Sequence, residues 1–327
     1  MLTDAFDWSA VFYVNVLMAG AGLVAAVVLL PGTARGVRGG FDLPGAVLGT
    51  ASSSLLVIGL VQGPDRGWAS LVALWSLVLA VVLFALFVVV ESRSASPLVP
   101  LGLFRNRDLS TGTAIAFLLM ATFGALAFFL TLLWQSVQGY SALATGFAFV
   151  VPSALALVGT FAGGRAATRV GTRKTLLAAL AISTAGAIAL ASMISVDRPY
   201  AALAVPLAVL SLGQGMVFVT MFAAASTGVP AEDQGIGSGI AATGRQIGGA
   251  VGLALLIALA GAFGGSHAEG DPSGIVDGIR AAVWAVAVGI DLTALAVLNL
   301  RRAPSVISAT SMAAAGTAAE AAGDRGL

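Results

Sequence analysis

The sequence predicts an all-α polytopic membrane protein with nine transmembrane helices. Mean hydropathy is +1.00 over 327 residues. Only 9% of the residues are charged and 58% are hydrophobic. A soluble domain carries about 25% charged and about 45–50% apolar residues, so this composition cannot build a water-facing surface. Apolar runs of bilayer length also recur along the chain, each closed by charge, glycine or proline. Lipid offers no hydrogen-bond partners, so only helices or a closed barrel can cross it. The alternating strands of a barrel, about ten residues each, are missing.

A crossing helix needs about 20 apolar residues. In chain order the spans fall at 9–31, 42–62, 68–90, 109–135, 141–164, 174–194, 199–226, 235–263 and 277–300. Arg35 and Arg38 close the first gap and Pro64-Asp65-Arg66 the second. The third gap runs from Glu91 to Asp108. Gly139-Tyr140, Arg169 to Lys174, Asp197-Arg198-Pro199, Pro230 to Asp233 and His267 to Asp277 close the others. The first seven residues hold Asp4 and Asp7 and no basic residue, which does not fit the basic start of a signal peptide. The stretch 303–327 is rich in Ala, Ser, Thr and Gly; it lacks the bulky apolar surface needed to fold and is expected to be a disordered tail.

Basic residues set the expected orientation. With the C-terminus in the cytoplasm, twelve of the 16 basic residues fall in inside loops and three, Arg66, Arg198 and Arg280, in outside loops. Arg245 lies within a span. This is a strong positive-inside bias.

Several function classes drop out. A net charge of +1 gives no basic face for nucleic acid. There is no cysteine, which removes disulfides, thiol nucleophiles and thiolate metal sites. One histidine, His267, cannot form a cluster. No HExxH, P-loop or serine-elbow motif occurs. No enzyme activity, catalytic residue, metal or cofactor is expected. Glu232-Asp233 reads better as a solvated loop than as a metal site, since two adjacent carboxylates fix no coordination geometry.

Several phrases stand out. Leu98-Val-Pro-Leu-Gly-Leu-Phe-Arg-Asn-Arg107 precedes the fourth span, and Leu132-Leu-Trp-Gln-Ser-Val-Gln-Gly-Tyr-Ser141 closes it, with Ala144-Thr-Gly146 following. Gly164-Arg-Ala-Ala-Thr-Arg-Val-Gly-Thr-Arg-Lys174 joins the fifth and sixth spans. Gly228-Val-Pro-Ala-Glu-Asp-Gln-Gly235 leads into Ser238-Gly-Ile-Ala-Ala-Thr-Gly-Arg-Gln-Ile-Gly-Gly249. In this order they resemble the fourteen-helix drug:proton antiporter branch of the major facilitator superfamily. The resemblance runs from about Leu2 to Leu300 and aligns the nine spans with family helices six to fourteen. It implies that the first five helices, with the family's proton-coupling carboxylate and arginine, are missing.

The resemblance also implies a domain plan. Residues 1–40 would be the last helix of the N-terminal bundle and a cytoplasmic loop. Residues 41–108 would be two central linker helices and a loop, 109–302 the C-terminal six-helix bundle, and 303–327 the cytoplasmic tail. The implied function is proton-coupled export of drugs or other amphipathic small molecules across the plasma membrane, from a truncated chain inactive alone. A non-transporting scaffold, or one subunit of a split transporter, stays open. The partners would be the lipid bilayer, the substrate and a missing N-terminal bundle.

Arg245 lies about nine residues into the eighth span, and a buried arginine costs at least about 2.5–3.5 kcal/mol in lipid. It should face protein or water. Asp291 lies at similar depth on the next helix and is an expected partner, direct or through water. A cavity-facing Arg245 without Asp291, and snorkelling, stay open. Gly244, Gly248 and Gly252 form one smooth stripe, as do Gly159 and Gly163; they suit close helix packing or a sliding surface. Gly164, Arg165, Arg169, Gly171, Arg173 and Lys174 resemble the family's gating loop, though Thr168 stands where the family often has Asp. A topology anchor is the plainer reading. Gln214, Trp134, Gln135, Gln138 and Met216 are candidates for a substrate cavity. Pro152 can kink the fifth span.

Overall fold

The computed structural model describes residues 10–29, 42–94, 97–226, 233–264 and 272–298. The expected tail at 303–327 lies outside these residues, as do His267 and Glu232. All regular structure among the described residues is helical. Eight helical spans are long and apolar enough to cross a membrane, and a shorter apolar helix, Tyr13–Leu29, stands where the first of the nine was expected.

The chain divides into two compact units, Met1–Phe41 and Asp42–Leu327. In the first, α1 (Ala10–Leu29) is apolar all round and carries no charged residue. The second begins with a hairpin of α2 (Leu43–Arg66) and α3 (Leu71–Arg93). Asp42 caps α2 by accepting from Gly45 N–H at 2.8 Å, and Ser70 caps α3 by accepting from Ala73 N–H at 3.4 Å. These are the side chains that best satisfy the orphan donors of a first turn. Pro64 sits inside α2, which continues to Arg66; the expected gap there closes at Gly67, whose φ is +87°. Near the far end of α3, Glu91 is only 3% exposed. Its Oε2 accepts from Val99 N–H at 3.3 Å, tying the hairpin to the segment that leaves it.

After a 3₁₀ turn at Leu101–Arg105 come six spans. The first is broken: α4 (Arg107–Phe123) stops at Gly124-Ala125, and α5 (Leu126–Leu132) runs into a π-helical turn, Leu133–Val137. The second is α6 (Ala142–Ala148) followed by α7 (Val150–Val170). The rest are α8 (Thr172–Met193), α9 (Tyr200–Ser226), α10 (Gln234–Gly264) and α11 (Pro272–Val297).

Pro152 explains the break before α7. It lacks the N–H that would bond the carbonyl four residues back. That carbonyl belongs to Ala148, and the Tyr200 hydroxyl donates to it at 2.9 Å. Trp134 packs edge-on against both Phe149 and Tyr200, with ring centroids 5.1 and 5.6 Å away.

Close glycine packing builds the bundle. A Cβ on Gly248 would meet the Phe117 carbonyl, and one on Gly252 the Ala121 carbonyl. The stripe Gly244, Gly248 and Gly252 therefore lies flush on α4. Gly159 and Gly163 do the same for α7 on α9, where a Cβ at Gly163 would stand 2.7 Å from Met216 Cα. In lipid, no hydrophobic force drives helices together, so the gain comes from dispersion contacts at this short separation. α11 packs against α8, α10 and α4, and α10 also touches α2.

Candidate functional site

Three helices converge on one face. On α4, Gly112 meets Ala225 of α9, while Thr113, Phe117 and Ala121 meet the glycine stripe of α10. Thr122 meets Gly289 of α11. At 100° per residue, Met120 falls between the α9 and α10 directions, on the side away from Thr122. Arg245 reaches this position from α10. Its Nη1 contacts Met120 Sδ at 3.8 Å, and Gly249, one turn on, also packs against the Met120 side chain.

Arg245 lies roughly 16 Å along α10 from Gln234. It is half-buried, and its Nε is buried with no hydrogen-bond partner. Nearby, Thr113 Cγ2 sits 2.9 Å from where a Cβ on Gly244 would stand, and the Thr113 hydroxyl is likewise buried without a partner.

The expected direct Arg245–Asp291 pair is not made. Asp291 instead accepts from Thr184 of α8 at 2.9 Å and is exposed. Depth is not the reason. Gly278 packs on Ala260 and Gly264 on Gly274, a register that brings Arg245 level with residue 293. There the buried Thr293 faces inward. Asp291 is about 200° round the helix from it and so points to α8. Sequence spacing gave the level correctly but not the rotation.

A cleft of about 510 Å³ opens where α9 ends and α10 begins, lined by Phe222, Ala223, Ala225, Gln234, Gly235 and Ser238. Ser238 and Arg245 share one face of α10, about two turns apart. On α9, Gln214 shares its stripe with Met221 and Ala225, the latter a cleft residue. Its neighbours Gly213 and Gly215 are wedged against α8 and α7, which leaves Gln214 directed away from both. Gln234, Gly235 and Ser238 belong to the phrases that carry the resemblance, but none of the cleft residues was a candidate for the substrate cavity, because the lining is mostly small and polar side chains at two helix ends.

The other candidates separate. Trp134 is completely buried and is a core residue rather than a cavity wall. The Gln138 amide donates to the carbonyls of Val196 and Arg198, at 3.5 and 2.9 Å, tying down the loop before α9. Gln135 is exposed. The backbone of Met216 supports Gly159 and Gly163.

The expected gating loop is mostly helix. α7 continues through Arg165 and Arg169 to Val170, and α8 starts at Thr172. Gly171 alone makes the turn at φ +92°, a conformation glycine adopts without steric cost. Gly164 lies inside α7 and Lys174 is exposed on α8. Arg173 Nη2 donates to the Leu298 carbonyl at 3.3 Å, placing a cation at the negative end of α11. At the opposite end, Arg280 pairs with Asp277 at 2.8 Å and donates to the Ile194 carbonyl at 2.8 and 3.2 Å. The sequence reading assigned Arg280 only a side of the membrane.

Comparison with known proteins places this architecture. The family model described as Major Facilitator Superfamily matches residues 1–253. The chain is 33% identical to a tetracenomycin C resistance and export protein of Streptomyces glaucescens over 78% of its own length and 48% of that protein's. It is 32% identical to a cephamycin export protein of Amycolatopsis lactamdurans, over 96% of this chain and 65% of the relative. A lincomycin resistance protein of Streptomyces lincolnensis is 32% identical over 92% and 61% respectively. The chain thus spans about half to two-thirds of the length of the curated relatives it matches. A matching family model over most of the chain, an all-helical bundle and eight apolar spans agree: the chain is a multi-pass membrane protein of the major facilitator superfamily.

Proposed function

We propose that this chain supplies one six-span bundle and the central hairpin of an exporter of amphipathic small molecules, driven by proton influx. The observation that carries the reading is the face shared by α4, α9 and α10. It holds one cation, Arg245, and one amide, Gln214, among apolar residues, and a cleft lies at the adjoining ends of α9 and α10. Few polar groups in an apolar recess suit a transporter cavity. Relatives named for export and resistance support the substrate class. Proton influx is the driving force that the resemblance to drug:proton antiporters implies. The basic residues favour a plasma-membrane protein with its C-terminus and the α9–α10 cleft on the cytoplasmic side.

In this reading the bundle rocks against a first bundle, which the longer relatives would contain. Residues 41–108 act as the linker, 109–302 as the moving bundle, and the Gly171 turn as part of its gate. Efflux of an amphipathic dye tests it, in cells expressing the chain alone or together with a first bundle. Efflux that needs the chain and stops when a protonophore collapses the gradient is the expected result. No efflux in any combination favours the scaffold reading.

A further inference from the structure

We infer that the cleft between α9 and α10 takes ligands carrying an anionic group, and that Arg245 selects for it. This deepens the export reading and rests on it. A guanidinium offers five N–H donors and is always charged. Here its one hydrogen-bond contact among the described residues is to the Met120 sulfur, a weak acceptor. Its Nε is buried and unpaired. A charge held this way at membrane depth needs an acceptor. Among the described residues none supplies one. Asp291 is engaged by Thr184 on another face. Asp233, the nearest acidic residue along α10, lies roughly 18 Å away along the axis.

The surroundings fit an anion. Thr113, packed on Gly244 next in sequence to Arg245, adds a buried hydroxyl with no partner. Among the described residues the cleft lining contains Gln234 and Ser238 and no carboxylate; Asp233 directly precedes it in the chain. Ser238, in the cleft lining, and Arg245 lie on one face about two turns apart, with Ala241 and Ala242 between them. The apolar part of the ligand would lie on Met120 and Phe222, and its anionic group would accept from Arg245 and Thr113.

Two fluorescent probes separate charge from apolar binding. 1-Anilinonaphthalene-8-sulfonate and N-phenyl-1-naphthylamine share a ring system and differ by the sulfonate. Each is titrated against the full chain in lipid nanodiscs, with empty discs subtracted. The expected result is tighter binding of the sulfonate probe. Arg245→Gln should weaken it at least about tenfold, the value of a charge-assisted hydrogen bond, and leave the neutral probe unchanged. Arg245→Lys should restore part of the preference, and Thr113→Val should reduce it by less. Equal affinity for both probes, or a sulfonate preference that survives Arg245→Gln, overturns the inference and leaves the export reading standing. Loss of both probes together in Arg245→Gln assigns the residue a structural role and also overturns it. If the wild-type chain binds neither probe, the inference falls, while the export reading, in which a first bundle completes the cavity, is decided by the efflux experiment.

Discussion

The hairpin α2–α3 and the six-span bundle are held together by different means. In each hairpin helix 17% of the spanning window is buried; in the six bundle spans the share runs from 22% to 50%. The hairpin's exposed surface is large and apolar, with Leu71, Trp75 and Val81 all more than 60% exposed. In a bilayer that surface costs nothing, because lipid is as apolar as the side chains. Along its length the hairpin packs Gly59 on Leu77 and Gly49 on Phe87, and polar contacts fix its ends: the Asp42 cap, the Ser70 cap and the Glu91 link to Val99. The bundle is fixed along its length, by glycines that let backbones touch. In the hairpin the glycines meet side chains, whereas in the bundle Gly248 and Gly252 meet backbone directly.

The sharpest test of that contrast is along the helices. Gly252→Leu forces a branched side chain against the Ala121 backbone. It should cost about 3 kcal/mol or more, at or beyond the upper end for overpacking, and separate α4 from α10. Gly261 on the same helix has nothing within 4 Å of an added Cβ, so Gly261→Ala should be neutral or gain up to about 1 kcal/mol from helix propensity. Unfolding of both variants in detergent measures the difference. Equal effects would mean that the stripe is not what holds the two helices.

The middle-sized effect lies at the hairpin's end. Glu91→Ala leaves the Val99 N–H unpaired and should cost about 1–3 kcal/mol. The loss should be local, seen as faster amide exchange at Val99 and nearby residues, with the bundle unchanged. Bundle-wide exchange would show that the hairpin is not separately fixed.

The same contrast explains what the sequence could show. Span limits were legible within a few residues, because hydropathy reports the lipid boundary directly. The glycine stripes were legible as faces, because helical spacing is regular. Rotation about an axis was not. Arg245 and Asp291 were placed at one level but turned to different neighbours, and Trp134 was read as cavity wall because its burial depends on Phe149 and Tyr200, which are distant along the chain. The long-range ties of Glu91, Arg173 and Arg280 to backbone groups left no spacing to detect.

The smallest expected effect tests whether the bundle has an end-on contact of the hairpin's kind. Pro152 removes a donor from α7, and the Tyr200 hydroxyl fills the vacancy at the Ala148 carbonyl. Tyr200→Phe keeps the ring contact with Trp134 and removes only that hydrogen bond. The cost should be about 0.5–1.5 kcal/mol. Pro152→Ala restores a main-chain donor to Ala148, so in that background Tyr200→Phe should cost measurably less. A double-mutant cycle reads the coupling. Strict additivity would mean that hydroxyl and proline act independently, and that the break before α7 is set by Gly146 and Phe149 rather than by the missing N–H.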